Sequence, residues 1–212
     1  LDAQSPRSLP DWPRLLDASF QRVDMQLRMK TGAGRHIENF CDTAHFPFTH
    51  TGTFGSRNHT LVPPYDLQES PEAITFDITT YLKAEGIPQD SAETVTQVPT
   101  RYFVQLPFLA ELKEQLSNDR TRCIYNFLCP ETTDSCRMLM VMIRDFHFDQ
   151  PVEEWIRYQE LVNEEDRLIV EAQLPLELPI EESAEVHVPS DKFSIAYRRR
   201  LRGLGLRESI EP

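Results

Sequence analysis

Val95-Thr96-Gln97-Val98-Pro99-Thr100-Arg101-Tyr102-Phe103-Val104-Gln105-Leu106 is followed by two further segments of similar character, Arg122 to Cys129 and Met138 to Phe146. All three are rich in β-branched, aromatic and apolar residues, which pack well on a pleated surface and lose χ1 freedom in a helix. Pro130-Glu131-Thr132-Thr133-Asp134 supplies a turn between the last two. Upstream, Ile74, Phe76 and Ile78 alternate with Thr75 and Asp77, and Gly86-Ile87-Pro88 marks the turn that follows. Further upstream, Val23, Met25, Leu27 and Met29 alternate with Asp24, Gln26 and Arg28. A period of two marks a strand with one buried face. Five strands that succeed one another without long crossover helices predict an antiparallel sheet.

The remaining patterns are helical. Thr31-Gly32-Ala33-Gly34 reads as a turn, and a helix is predicted over about His36 to His45, ended by Pro47. Residues 47–70 hold Pro63-Pro64, Gly52, Gly55 and few apolar anchors, and read as a long functional loop. Asp149 is placed to cap a long helix with Pro151 in its first turn, running to about Ala172 before Pro175 and Pro179. Trp155, Tyr158, Leu161 and Val162 fall at helical spacing within it. A last helix is predicted over 190–203, capped by Ser190, with Phe193, Ala196, Tyr197 and Leu201 on one face. This order predicts an α+β domain of helix-grip type over residues 21–212, with helices laid across one face of a curved antiparallel sheet. Residues 1–20, with Leu9-Pro10-Asp11-Trp12-Pro13, read as a linker or docking strap.

Composition narrows the function. The chain has 212 residues, 40% of them hydrophobic, and a net charge of −12. That suits one domain and supplies no basic excess for nucleic acid or an anionic membrane. No apolar run approaches the roughly 18–20 residues of a membrane span. Leu1 to Pro6 lacks the basic and apolar regions of a signal peptide, so a cytoplasmic location is expected. The four cysteines show no C-x-x-C pair and read as reduced thiols. Residues 151–191 hold twelve acids and two bases, and 192–207 hold six bases and no acid. These read as two solvated helix faces that attract one another. Arg198-Arg199-Arg200 is then a solvated stretch, and secondarily a docking patch.

Ligand-type residues concentrate in Glu38-Asn39-Phe40-Cys41-Asp42-Thr43-Ala44-His45-Phe46-Pro47-Phe48-Thr49-His50. Asn39, Asp42 and His45 lie three apart, on one face of a helix. A helix ending near Phe46 allows the chain to fold back and present His50 beside His45. Two imidazoles suit zinc, copper, iron or nickel. The H-E-x-x-H zinc pattern is absent. Asp42, three residues before His45, suits a carboxylate that orients that ring through its second nitrogen. Asn39 suits a polar position near a helix start. The remaining histidines, His59, His147 and His187, have no partner at a ligand spacing. Phe103, Val104, Phe127, Met138, Met140 and Met142 read as core on predicted strands.

Asn39-x-x-Asp42-x-x-His45-x-x-x-x-His50 resembles the mononuclear-iron motif of the Rieske non-haem iron oxygenases, alpha subunit. Glu38-Asn39-Phe40, His45-Phe46-Pro47-Phe48 and Gly52-Thr53-Phe54-Gly55 are similar to the vanillate O-demethylase and phenylpropionate-dioxygenase-like branch. So are Asn163-Glu164-Glu165-Asp166-Arg167, with Ile169-Val170-Glu171, Gln173 and Pro175 after it, and Ser194-Ile195-Ala196-Tyr197-Arg198-Arg199. The resemblance covers about residues 9–206. It implies Fe(II) held by His45, His50 and an acid of the long helix. Glu164, Glu165 and Asp166 all stand there, and the family's spacing to Glu171 selects Asp166. By the same resemblance Asp42 is the bridge for electrons from a neighbouring subunit, and Asn39 lines the site.

The resemblance further implies an oxygenase acting on an aromatic small molecule with O2, by hydroxylation or O-demethylation, as a homotrimer. Electrons would come from NAD(P)H through a reductase or ferredoxin and then a Rieske [2Fe–2S] centre. Such a centre needs two Cys and two His, spaced C-x-H and C-x-x-H, and neither string occurs in this sequence. The expectation is therefore a catalytic domain whose Rieske domain lies before Leu1, with residues 1–20 leading out of it. Two other classes use the same pattern of residues: a binding module for an apolar ligand with no redox role, and a zinc hydrolase with the same three ligands.

Overall fold

The computed structural model describes residues 11–88 and 94–206, so residues 1–10 of the strap and Arg207 lie outside it. Seven strands form one sheet: β1 (Gln21–Met29), β2 (Leu67–Glu69), β3 (Ala73–Lys83), β4 (Val95–Gln105), β5 (Leu109–Gln115), β6 (Thr121–Pro130) and β7 (Cys136–Arg144). Their spatial order is β1-β7-β6-β5-β4-β3-β2, with every neighbouring pair antiparallel. The α+β class and the antiparallel sheet follow the sequence reading; the count is seven strands, not five. The short β2 falls inside the segment read as a long loop, where it pairs only three residues with β3. Pro99 sits in β4 opposite Thr79, just before pairing with β5 begins at Thr100, so its missing N–H costs no bond to a second neighbour.

Four helices accompany the sheet: α1 (Ala33–Cys41), α2 (Phe46–Thr49), α3 (Val152–Val170) and α4 (Lys192–Gly203). The main core lies between the sheet and α1 and α4, where Ile37, Phe193, Ala196, Tyr197 and Leu201 pack against Ile74, Phe76, Tyr102 and Met138. A second cluster surrounds Trp155 of α3 and joins Val23 of β1 to Leu82 of β3. Those strands stand at nearly opposite ends of the sheet order, so the sheet curls around α3. On the other face, Cys123, Tyr125, Val141 and Ile143 are covered by Trp12, Leu15 and Phe20. Trp12 meets the Phe127 ring edge-on at 5.3 Å. The described part of the strap is thus a lid on the outer sheet face, with a single 3-10 turn at Pro13–Leu16.

Several boundaries differ from the sequence reading. The first helix ends at Cys41, not His45, because Asp42 turns extended and its carboxylate accepts the N–H groups of Ala44 at 2.7 Å and His45 at 3.2 Å. A short acid that satisfies its own following amides competes with helix continuation. Pro47 opens α2 instead of ending a helix, since its fixed φ suits a first turn. In α3 the N-cap is Pro151 and Asp149 makes no cap; Leu161 lies on the solvent side, 49% exposed. In α4 the N-cap is Asp191, with Ser190 in the preceding 3-10 turn.

Arg198 overturns the solvated reading of the basic run. It is 2% exposed and donates both Nε and Nη2 to the two carboxylate oxygens of Glu38 at 2.7 Å. Glu185, itself partly exposed, links it to Arg35, which ties α1 to α4 through a four-residue network whose two arginines are buried. Removing one partner of such a network costs on the order of 3–5 kcal/mol because the other charge stays buried. Arg199 and Arg202 remain exposed and pair with Glu181 and Glu182. The exposed pair Arg199 and Arg202 therefore meets the loop after α3, while Glu164 and Glu171 are answered by Arg167 of α3 itself. The described cysteines are all unbonded, and burial pushes the thiols of Cys123 and Cys136 up to about 12.

Candidate metal centre

One turn of helix builds the centre. His45 precedes α2 and His50 follows it, so a single turn carries the chain from one imidazole to the other. His50 closes that turn by donating its N–H to the Phe46 carbonyl at 3.2 Å. The loop beyond folds back at once, with the N–H of Gly55 on the His50 carbonyl at 2.7 Å. A Cβ at position 55 would stand 2.1 Å from the Phe46 oxygen, so only glycine fits. Phe54 then stacks on the His50 ring with centroids 4.4 Å apart. The acid comes from α3, which lies across the mouth of the curled sheet.

Three donor atoms converge. His45 Nε2 lies 3.2 Å from His50 Nε2, and Asp166 Oδ1 lies 3.3 Å from each. Donors about 2.1 Å from a first-row ion stand roughly 3.0–3.4 Å apart in octahedral or tetrahedral positions, so these separations fit a metal. The outer nitrogens are fixed separately. His45 Nδ1 faces Asp42 Oδ2 at 3.1 Å, and His50 Nδ1 faces Glu165 Oε2 at 2.9 Å. A carboxylate on each Nδ1 keeps the proton there and leaves the Nε2 lone pair free for a metal. Asn39 donates its amide to Asp166 Oδ1 at 3.0 Å.

The charge balance agrees. Burial disfavours a charged His45, but its hydrogen bonds to Asp166 and Asp42 outweigh it and raise the ring to about 9. Burial likewise works against the charge on Asp166, and the hydrogen bonds from His45 and His50 hold it far below the usual carboxylate range. A site that draws in a proton so strongly is also suited to a divalent cation.

All five candidate residues, Asn39, Asp42, His45, His50 and Asp166, thus meet at one place, although Asn39 alone of the first three lies on α1. Glu164 stays outside, paired with Arg167 at 2.5 Å. Glu165 does not fit the solvated reading: it holds His50 and also accepts the Thr53 hydroxyl at 2.7 Å. Neighbours on a helix point about 100° apart, so Glu165 and Asp166 serve different atoms of one centre. Spacing alone carries no signal for that role. His59 stacks on Tyr81, His147 sits beside Arg120 and His187 beside Glu182, all away from the centre. Replacing Glu165 by Ala is expected to weaken divalent-metal binding about 10- to 100-fold, read by competition with a chelator at unchanged circular dichroism. Unchanged affinity would remove its orienting role.

The centre opens into a narrow cavity of about 70 Å³. Phe46, Phe54, Leu112, Ile124, Met140 and Val162 give it apolar walls. Met140 lines the cavity from within the buried core, to which Val104, Met138 and Met142 also belong.

A sheet curled around a helix, with two histidines and one aspartate gathered at its mouth, is the arrangement that the resemblance to the catalytic domain of a Rieske-type oxygenase implies. The chain belongs to the vanillate O-demethylase oxygenase C-terminal domain family, whose model matches residues 29–207. It is 28% identical over 196 residues to methylxanthine N3-demethylase NdmB of Pseudomonas putida, covering 89% of this chain and 53% of that protein. It is 30% identical over 178 residues to methylxanthine N1-demethylase NdmA of Pseudomonas putida, covering 81% of this chain and 47% of that protein. The structure of Pseudomonas putida CBB5 NdmA with caffeine superposes with a TM-score of 0.78 at 26% identity, over 93% of this chain and 55% of that one. Dicamba monooxygenase shares the fold, at a TM-score of 0.73 and 14% identity over 92% of this chain and 62% of that one. The chain spans about half the length of these two curated demethylases.

Proposed function

We propose that this domain is the oxygen-activating part of an oxygenase that removes a methyl group from, or hydroxylates, an aromatic small molecule. The convergence of His45, His50 and Asp166, with a carboxylate behind each imidazole, carries the reading. Fe(II) bound there would supply reductive activation of O2, since three protein ligands leave its remaining positions open. The protein's own tasks are geometric. Asp42 and Glu165 hold the imidazoles in their metal-binding tautomer, Asn39 steadies Asp166, and the apolar walls hold an aromatic ring beside the centre and exclude water. Demethylation balances as substrate methyl, O2, NAD(P)H and one proton giving the demethylated product, formaldehyde, water and NAD(P)+.

The two electrons are proposed to come from NAD(P)H through a reductase or ferredoxin and a Rieske [2Fe–2S] centre held outside these 212 residues, whose sequence has no C-x-H or C-x-x-H string. A homotrimer would let a neighbour's cluster approach Asp42, whose carboxylate is about one-third exposed. A cytoplasmic location is part of this reading; no helix among the described residues is long and apolar enough to cross a membrane.

Removal and return of metal tests it. The intact oxygenase, stripped by a chelator and mixed with its reductase, is expected to lose NADH-coupled O2 uptake. Fe(II) is expected to restore it and Zn(II) is not. Recovery of a hydrolytic activity with Zn(II) and none with Fe(II) would replace the oxygenase by a hydrolase.

A further inference from the structure

On one side, a single residue separates the cavity from the protein surface. β1 is an edge strand of the sheet, and α3 packs against it. Between them runs a surface groove of about 350 Å³, with Met25 and Leu27 of β1 and Ile156 of α3 as its apolar lining. Among the described residues, Asn163 alone lines both this groove and the cavity. Asn163 stands three residues before Asp166 on α3, about 4.5 Å along the axis, and residues at that spacing share a helix face. A molecule that passes Asn163 therefore enters the cavity within one helical turn of the metal centre.

The barrier is held loosely. Asn163 Oδ1 accepts from Gln159 Nε2 at 3.0 Å, but its Nδ2 donates only to the Met140 sulfur, at 3.9 Å. A thioether is a weak acceptor, so turning the amide away from it costs little. Met140 lines the cavity and stands directly opposite Met25, which lines the groove, in the β1–β7 register. A methionine thus flanks Asn163 on each side of the barrier. Methionine is unbranched, has three rotatable bonds and adapts to irregular space. The wall formed by β5 and β6 is built differently. There Arg122 is tied to Glu114 at 2.5 Å and to the carbonyls of Gly86 and Glu85 at 2.6 Å and 3.1 Å. An opening the width of one side chain admits a diatomic molecule and excludes an aromatic ring.

We propose that Asn163, flanked by Met140 and Met25, gates a passage for dioxygen from the β1–α3 groove to the metal centre, separate from the route of the aromatic substrate. This rests on the reading of the centre as an iron site that activates O2.

Binding rates of nitric oxide, a diatomic probe in place of O2, test it. The intact oxygenase is loaded with Fe(II) and mixed anaerobically with nitric oxide in a stopped-flow absorbance measurement; release is followed with a nitric oxide scavenger. A gate lies on the path and touches neither end state, so it changes entry and release by one factor and leaves Kd alone. Asn163→Ala is expected to raise both rates at least about threefold, and Asn163→Phe to lower both at least about tenfold, with Kd unchanged. Met25 lines the groove and not the cavity, so Met25→Phe is expected to slow both rates from the outer side. It supplies the slow arm if Asn163→Phe does not fold. Unchanged rates in Asn163→Ala and Met25→Phe at full iron occupancy would overturn the gate and leave the iron reading standing. An altered Kd with an unaltered entry rate would overturn it as well, and make Asn163 a support of the metal site. Failure of the wild-type protein to hold Fe(II), read by metal analysis, overturns the iron reading and the gate with it.

Discussion

His45→Ala is expected to lower iron from near one equivalent to background and to abolish NADH-coupled oxygen uptake. His45 supplies one of the three donor atoms that converge among the described residues, 3.2 Å and 3.3 Å from the other two. Loss of an orienting group behind a ligand costs about 10- to 100-fold in metal affinity, so loss of the ligand itself exceeds that. The fold is expected to survive. His45 itself belongs to neither main cluster, although its neighbour Phe46 packs against the one around Trp155. Asp166 also keeps His50 and Asn39 as partners after the change. The control is His59→Ala, whose ring stacks on Tyr81 and should leave iron content unchanged. Metal analysis of both proteins after anaerobic loading, with thermal unfolding to verify folding, checks the prediction. Full iron occupancy in His45→Ala would end the assignment of this centre.

Legibility in the sequence followed the range of the interactions. Strand alternation is local, so β1 and β3 stood out through Val23 to Met29 and Ile74 to Ile78. β5 did not, because its inward face runs Ala110, Leu112, Glu114 and ends on an acid that only Arg122 of the next strand makes acceptable. The end of α1 was misplaced because a three-residue spacing looks helical, whereas the Asp42 side chain diverts the backbone before His45 is reached. His45 and His50 could be paired from sequence because the break between them is short. Choosing Asp166 over Glu164 and Glu165 needed the family resemblance, since all three occupy one helix turn and only tertiary contact separates their roles.

Asp42→Asn is expected to keep iron within about tenfold of wild type yet slow turnover by more than about 100-fold, a split that orientation alone does not produce. Asp42 occupies a particular position. One oxygen accepts the Ala44 N–H at 2.7 Å; the other serves both the N–H and the Nδ1 of His45, at 3.2 Å and 3.1 Å. Its side chain is 36% exposed while the imidazole it touches is 12% exposed, so it joins the surface to a ligand of the centre. An asparagine has one acceptor oxygen for these bonds. With that oxygen on His45, the ring keeps its tautomer and the metal stays, and the turn loses the Ala44 bond. The carboxylate's negative charge is gone in either orientation. If Asp42 only steadied the ring, iron affinity and turnover would fall together. If it bridges an external donor to the centre, the pre-reduced intact oxygenase, mixed with substrate and O2, is expected to show slow oxidation of its Rieske cluster while iron affinity holds. Stopped-flow absorbance of the cluster and chelator competition for the iron read the two quantities independently. Wild-type cluster oxidation in Asp42→Asn would remove the bridging role and leave Asp42 as a support for His45 alone.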